Sequence, residues 1–277
     1  MDVTVDQLGP PVDLRGVFAP QRETLLAFLR SLDSADWARP TACDGWDVAD
    51  LVAHVLGDVV GRISGARDGG FRAAPRTGEA LPTFIDRVNG EWVTGCRRLS
   101  PQLLVEMLEA AGPAHDAVWA GQPLDAPSLG VSWAGVDPAP AWFDAARDVT
   151  EYWVHERQLR DAVGAEPGGL PDLGTVLDVF ARGLPHALAR STVDAEVITV
   201  AAEPPGVSWT LVRDGSRWSM ADHPVAAGAT VVTFDGGQLW RRWTRQPGST
   251  PGAERGGSPI ERTVLDHVAI VHSAPDA

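Results

Sequence analysis

Apolar positions along the chain separate a helical first part from a mixed second part. Up to about residue 165, apolar residues recur at spacings of three and four, which is typical of amphipathic helices. This pattern predicts helices that span residues 14–32, 47–66, 82–99, 100–119 and 140–163. Pro20 either starts the first of these helices or interrupts it, and Gly112–Pro113 predicts a break in the fourth. Several long helices with polar connectors indicate a helix bundle.

Beyond a Pro/Gly-rich linker, Pro167–Gly174, short runs of β-branched residues appear. The pattern predicts one helix, then three strands, then two helices, over residues 175–190, 196–201, 207–212, 229–234, 237–243 and 260–272. Such a mixture is typical of a small α/β domain. The predicted fold class is therefore α followed by α/β, with a bundle domain at 1–165 and a small α/β domain at 175–277.

Composition and charge narrow the classes of partner. The chain has 277 residues, 44% of them apolar and 22% charged, as expected for a globular protein with a sizeable core. Its formal net charge of −14 disfavours nucleic acid and anionic membranes as partners, because both would repel it. The chain shows no secretory signal and no apolar run of about 18 residues. We therefore expect a cytoplasmic protein.

All 23 basic residues are arginine, and the absence of lysine excludes Schiff-base chemistry, a pyridoxal phosphate anchor and a P-loop. The two cysteines, Cys43 and Cys96, are too few for a disulfide scaffold or a four-cysteine zinc site. Cys43 could be a catalytic thiol. Since the sequence shows no partner histidine for it, an inert cysteine is favoured, and no catalytic nucleophile is assigned.

The strongest chemical signal lies in the fifth predicted helix. Glu151 and His155 are four residues apart, so their Cβ atoms lie roughly 5–6 Å apart on one helix face, where a single metal ion could bridge them. His54, in the second predicted helix beside apolar Leu51 and Val55, is the best third ligand. Taken alone, an inward histidine is more often a core residue, and a Glu/His pair is often a simple helix-face contact. Helix bundles, however, build metal sites from such inward groups on facing helices.

Two histidines and one glutamate form the ligand set of a catalytic zinc with an open fourth position. Nickel or iron would accept the same set, so the residue types favour zinc without excluding the other two metals. An open site is favoured over a structural one, because structural zinc more often has four ligands that include cysteine.

Two sequence blocks carry a family resemblance. The first runs from Trp37 to His54 and reads WARPTACDGWDVADLVAH, and the second runs from Ala146 to Gly164 and reads ARDVTEYWVHERQLRDAVG. Together they resemble the mycothiol-dependent maleylpyruvate isomerase family, which belongs to the DinB-like metal-binding four-helix bundles. The resemblance covers roughly residues 14–165. It implies that the family's metal ligands fall on His54, Glu151 and His155, and that a small α/β (sterol-carrier-like) domain follows the bundle.

The resemblance also implies a type of chemistry. A free thiol has a pKa near 8.5, and metal coordination removes its proton, so the metal would activate a low-molecular-weight thiol such as mycothiol. The thiolate would add to a small electrophile. Loss of the thiol after bond rotation is isomerisation, and its retention or transfer is S-transferase chemistry. A hydrolase with metal-bound water and a non-catalytic metal- or small-molecule-binding module are the alternatives.

The chain departs from the family pattern at two positions near the ligands. Asp58 stands where the family often has asparagine, and it is a candidate fourth ligand or a hydrogen-bond partner for His54. The segment Arg157-Gln158-Leu159 stands where the family often has an aspartate. Trp46 and Trp153 are expected to pack the bundle and to contribute to the shape of a pocket.

Four arginines are candidates for binding anionic groups. Arg147 and Arg157 flank the Glu/His pair and could bind a substrate carboxylate, although an ion pair at the surface is the favoured alternative. By resemblance, Arg241 or Arg242 corresponds to an arginine that helps to bind the thiol cofactor. The alternative for these two is a solvent-facing position on an amphipathic helix.

Overall fold

The computed structural model of the chain describes residues 3–70, 73–222, 228–247, 249 and 257–269. These residues form two compact units. A helical unit contains Leu14–Gln122 and Glu151–Leu170, and a sheet unit contains Pro123–Thr150 together with the described residues up to Asp13 and from Pro171 onward. The division into domains at 1–165 and 175–277 stays a prediction, because units drawn from spatial contacts need not follow chain order.

The five helices predicted in the first part of the chain are confirmed, with ends within four residues of those expected. They are α1 Phe18–Arg30, α2 Val48–Arg62, α3 Leu81–Cys96, α4 Pro101–Ala120 and α5 Ala141–Val163. In the helical unit, α2 packs against α3 and α4, and α1 packs against α4. Residues of α5 up to Thr150 belong to the sheet unit, and those from Glu151 belong to the helical unit.

Helix α2 illustrates how the sequence forms the helical unit. The Asp47 carboxylate accepts a hydrogen bond of 2.9 Å from the backbone N–H of Asp50, which caps the first turn. Leu51 and Val55 follow at four-residue spacing and are at most 2% exposed, so one face of the helix is core. On another face, a Cβ on Gly57 would lie 2.7 Å from the indole of Trp92. The glycine therefore allows α3 to approach closely.

The break predicted at Gly112–Pro113 is wrong, because α4 continues through both residues. Arg22 of α1 pairs with Asp116 through two hydrogen bonds of 2.6 and 2.7 Å, which hold the turn after the proline against α1. A Cβ on Gly112 would collide with the Arg22 side chain, so this glycine makes room for the ion pair. Tertiary packing thus offsets the backbone hydrogen bond that Pro113 cannot donate.

The sheet unit contains a short two-stranded pair and a four-stranded sheet. The strands are β1 Pro127–Ser128, β2 Ala139–Pro140, β3 Val197–Ala202, β4 Val207–Asp214, β5 Arg217–Met220 and β6 Thr230–Phe234. The larger sheet has the order β5-β4-β3-β6, in which only β3 and β6 are parallel. The three predicted strands are confirmed. Strand β5 was missed, because four residues are too few to show an alternating pattern.

Four helices complete the described part of the sheet unit. They are α6 Leu173–Ala181, α7 Leu184–Ala189, α8 Gly236–Trp243 and α9 Pro259–Asp266. The single helix predicted at 175–190 is wrong, because two helices, α6 and α7, occupy this segment. Pro185 lies in the first turn of α7. The last predicted helix is confirmed as α9, although it ends earlier than expected, and residues 270–272 of that prediction lie outside the described residues. No helix in the described ranges combines the length and apolar character that crossing a bilayer requires.

Candidate metal centre

The loop before α2, residues 40–47, is closed by its own backbone and is called the motif loop below. The N–H of Thr41 donates to the carbonyl of Trp46 at 3.0 Å, and Gly45 has a φ of 75°, in the left-handed region that favours glycine. This closure places the indole of Trp46 against His54, with ring centroids 5.1 Å apart. The loop therefore packs against a residue that the sequence marks as a ligand.

Two histidines from different helices meet inside the helical unit. The Nε2 atoms of His54 on α2 and His155 on α5 lie 3.2 Å apart, and the rings are nearly perpendicular, with an interplanar angle of 88°. The two residues are only 7% and 8% exposed. The predicted convergence of these two side chains is therefore present in the structure.

A carboxylate one turn along each helix approaches the same point. Asp58 Oδ2 lies 3.4 Å from His54 Nε2, and Glu151 Oε2 lies 3.8 Å from His155 Nε2. One ligand atom each from His54, Asp58 and His155 fall within 4.8 Å of one another. The i, i+4 spacing thus places one carboxylate beside each histidine. Among the described residues the compact group consists of His54, Asp58 and His155, and the predicted ligand Glu151 lies outside it, beside His155.

The protonation of the histidines suits metal binding. Burial lowers the pKa of His54 to about 4, so its imidazole is neutral at physiological pH. His155 Nδ1 lies 2.8 Å from the side-chain oxygen of Gln158, which can only accept a hydrogen bond. In the neutral imidazole of His155 the proton is therefore on Nδ1, and the lone pair on Nε2 faces His54.

The spacing of the donors fits a small divalent cation. Zinc–nitrogen bonds of about 2.0–2.1 Å in a tetrahedral site place neighbouring ligand atoms about 3.3 Å apart. The contacts from His54 Nε2 to His155 Nε2 and to Asp58 Oδ2 measure 3.2 and 3.4 Å, and Glu151 Oε2 is farther away, 3.8 Å from His155 Nε2. Neutral nitrogens and anionic oxygens are also the donor types that such a cation takes. The residues present therefore fit a metal.

The other residues predicted near the site have varied surroundings. The guanidinium of Arg147 pairs with Asp144 at 2.5 Å and with Asp148 at 2.8 Å. Arg147 therefore forms an ion pair, but a largely buried one and not the surface ion pair that was expected. Trp153 is 1% exposed, and the guanidinium of Arg157 lies over its ring at 4.6 Å. Trp153 and Arg157 therefore pack against each other on α5, the helix that carries Glu151 and His155.

Arg241 and Arg242 belong to the sheet unit, on α8. The guanidinium of Arg241 lies over the ring of Trp240 at 4.7 Å. Arg242 donates to the carbonyl of Leu265 at 3.1 Å and contacts Asp266 at 3.2 Å, and so ties α8 to α9. Arg242 therefore has a structural role within its unit, and the predicted thiol-binding role of either arginine stays a prediction.

Two residues beside the ligands were undervalued by sequence reasoning. Gln158 is 6% exposed and orients His155, which its i+3 position on the same helix could have signalled. Cys43 lies in the motif loop, and its Sγ contacts Gln158 Oε1 at 3.5 Å. Burial raises the pKa of the Cys43 thiol to about 11, so it is not a ready nucleophile. No local pattern could signal this second contact, because it joins residues 115 positions apart.

Helices that bring two histidines and the Asp58 carboxylate together define the helical unit as a candidate metal-binding scaffold. A comparison with protein families narrows the class. The family described as "Mycothiol maleylpyruvate isomerase N-terminal domain" matches residues 18–160, which is more than half of the chain. The chain therefore belongs to the mycothiol-dependent maleylpyruvate isomerase family, and the resemblance inferred from the sequence is confirmed.

Solved structures agree at the level of the fold. A crystal structure of the mycothiol-dependent maleylpyruvate isomerase matches with a TM-score of 0.50 and 17% identity, and covers 83% of this chain and 88% of that chain. A histidine-to-alanine mutant of that isomerase matches equally well. At this identity the likeness concerns the fold alone. A search of curated proteins gives no significant match.

Proposed function

We propose that this protein is a metal-dependent enzyme that activates a low-molecular-weight thiol such as mycothiol for addition or transfer to a small electrophile. The helical unit would be a DinB-like four-helix bundle, and the following α/β part a sterol-carrier-like domain. One observation carries the proposal: ligand atoms of His54, Asp58 and His155 form a compact group, with Glu151 beside His155, in a chain of this family. The chemistry would take place in the cytosol, where small thiols stay reduced.

In this proposal His54 and His155 bind the metal through Nε2, with Glu151 as the third ligand and Asp58 beside them. A divalent metal, for which zinc is the first choice and nickel or iron the alternatives, would lower the pKa of a bound thiol and so supply a thiolate at neutral pH. The Asp58 side chain is 36% exposed and that of Glu151 is 21% exposed, so solvent and small molecules reach this side of the cluster. The more exposed carboxylate of Asp58 is well placed to accept the proton that the thiol loses.

Isomerase and S-transferase outcomes share this first step. They differ in whether the thiol leaves after bond rotation or stays on the product. An isomerase activity is supported by the family and by the names of the solved relatives. Arg241 or Arg242 as the group that holds the thiol cofactor, and Arg147 or Arg157 as the group that binds a substrate carboxylate, are further parts of the proposal.

A hydrolase is the second candidate, because the Asp58 carboxylate could act on a water in the same way as on a thiol. A carboxylate 3.4 Å from a metal-binding nitrogen could serve as general base for a water in place of a thiol. The two candidates share the metal, so metal content does not separate them. The ligand that takes the open position does.

The deciding experiment uses the cobalt-substituted protein titrated with mycothiol. The thiol proposal predicts a sulfur-to-cobalt charge-transfer band that saturates with thiol and is missing in the His54→Ala variant. If the band is absent at saturating thiol while the loaded protein cleaves test amides or esters, the thiol proposal is wrong and the hydrolase is supported. If neither response is seen, the chain is a binding module.

A further inference from the structure

We propose that Cys43 and Gln158 form a relay that holds the imidazole of His155 in the orientation and tautomer needed for metal binding. The inference rests on the proposed metal site. It assigns a positioning role to Cys43, for which an inert cysteine was favoured, and to Gln158 of α5.

Gln158 is the centre of the relay. Its side-chain oxygen lies 2.8 Å from His155 Nδ1 and 3.5 Å from Cys43 Sγ, so one acceptor serves two donors. Gln158 is 6% exposed; its contact with His155 is buried, and its contact with Cys43 is partly buried. A carbonyl oxygen has two lone pairs and accommodates both hydrogen bonds. With Nδ1 as donor, the neutral imidazole of His155 presents an unprotonated Nε2 to the metal site.

Cys43 is held in place to act as the second donor. Its backbone N–H donates to Thr41 Oγ1 at 3.1 Å, and the same hydroxyl donates to the Trp46 carbonyl at 2.9 Å, across the closed motif loop. A thiol is a weak hydrogen-bond donor, and it can donate only while it is protonated. Because burial raises its pKa, the thiol of Cys43 stays protonated throughout the physiological range.

The relay makes the motif loop a common support for both histidines. At one position the loop places Trp46 against the ring of His54, and at another it places Cys43 against the amide that holds His155. The loop thus acts on ligands from two different helices. While Cys43 donates, its partner is the Gln158 oxygen, the same atom that accepts from His155 Nδ1.

The first test measures zinc affinity of the full-length protein by competition with a chromophoric chelator. Gln158→Leu removes the acceptor and is expected to weaken zinc binding about 10- to 100-fold, the usual effect of losing a hydrogen-bond partner of a ligand. Cys43→Ala should weaken it about two- to threefold, as expected for loss of one weak hydrogen bond. Cys43→Ser, which keeps a donor, should restore the native value. Cys96→Ala is the matched control and should leave zinc affinity unchanged.

The second test does not depend on metal. Nitrogen-15 NMR of histidine-labelled, metal-free protein reports the tautomer of His155, which should be Nδ1–H in the native protein and in Cys43→Ser. In Gln158→Leu the ring should shift towards Nε2–H, with a smaller shift in Cys43→Ala. An Nε2–H ring in the native protein, or equal behaviour of Cys43→Ala and Cys96→Ala in both tests, would overturn the relay. If the native protein binds no zinc but the NMR result holds, only the proposed function fails.

Discussion

Two histidines in this protein are buried to a similar extent, but their ring nitrogens contact different groups. His54 in the helical unit and His267 in the sheet unit are 7% and 4% exposed, and burial lowers the pKa of each to about 4. His54 Nε2 faces another imidazole and a carboxylate. His267 Nε2 instead donates to the Phe180 carbonyl at 2.9 Å.

The surroundings of His267 explain its role. Its ring lies against those of Trp243 and Trp133, with centroids 5.3 and 6.1 Å away, inside an aromatic cluster that also includes Phe180. One satisfied hydrogen bond in an apolar cluster is the arrangement of a structural histidine. A perturbed pKa therefore does not by itself mark a functional residue. The convergence of several donor atoms does.

The largest expected contrast comes from making the same substitution in each environment. His155→Ala removes one of the two histidine ligands of the proposed site, so it should weaken zinc binding by about a hundredfold or more. His267→Ala should leave zinc affinity within about twofold but lower the free energy of unfolding by about 2–4 kcal/mol. Chelator competition and urea denaturation measure the two quantities. Equal loss of zinc affinity in both variants would remove the distinction.

The second contrast concerns pH. Because the pKa of His267 is about 4 in the folded protein and near 6.5 when unfolded, the unfolded chain binds more protons between these values. Stability should therefore be full above pH 6.5 and fall as the pH drops towards 4, by up to about 3 kcal/mol. Burial is the main cause, and nearby His186 adds to it.

Urea denaturation of metal-free protein at a series of pH values checks this prediction. His267→Leu has no group to titrate at this position, so its stability should fall less steeply than that of the native protein over the same range. The titration of His54 affects the stability of both proteins equally, so it cancels when the stability of the variant is subtracted from that of the native protein. Parallel curves would show that His267 does not titrate as its burial implies.

The smallest predicted effect concerns the carboxylate of Asp58. Asp58→Asn keeps the shape of the side chain and removes its charge, and it should weaken zinc binding about tenfold, the lower end of the range for residues that support a metal site. Asp44→Asn makes the same charge change at an exposed position of the motif loop. It should alter zinc affinity by less than about twofold, because exposed charges are screened. Equal effects of the two variants would mean that Asp58 acts only through net charge.

The features that were predictable from sequence are those set by local pattern. Helix α2 begins at the residue after Asp47 because that side chain caps it, and α5 ends before Gly164, which adopts a φ of 71°. The pairing of Glu151 with His155 follows from helix periodicity. His54 was found as a partner through its inward position and through a family block.

Contacts between residues distant in the chain were not predictable. The pairing of Arg22 with Asp116 carries α4 through Pro113, and no local signal announces it. The contact of Cys43 with Gln158 likewise depends on how the motif loop packs against α5. Local propensity determines where helices begin and end, but tertiary packing decides which polar groups meet.

The central claim is that His54 and His155 hold one divalent metal together with neighbouring carboxylates. Anomalous scattering at the zinc edge from zinc-loaded crystals tests it most directly. We expect a single zinc peak at about 2.0–2.1 Å from Nε2 of both histidines and at about 2.0–2.2 Å from a carboxylate oxygen of Glu151, Asp58 or both. Zinc bound elsewhere, or zinc retained at this point by a variant carrying both His54→Ala and Glu151→Ala, would contradict it.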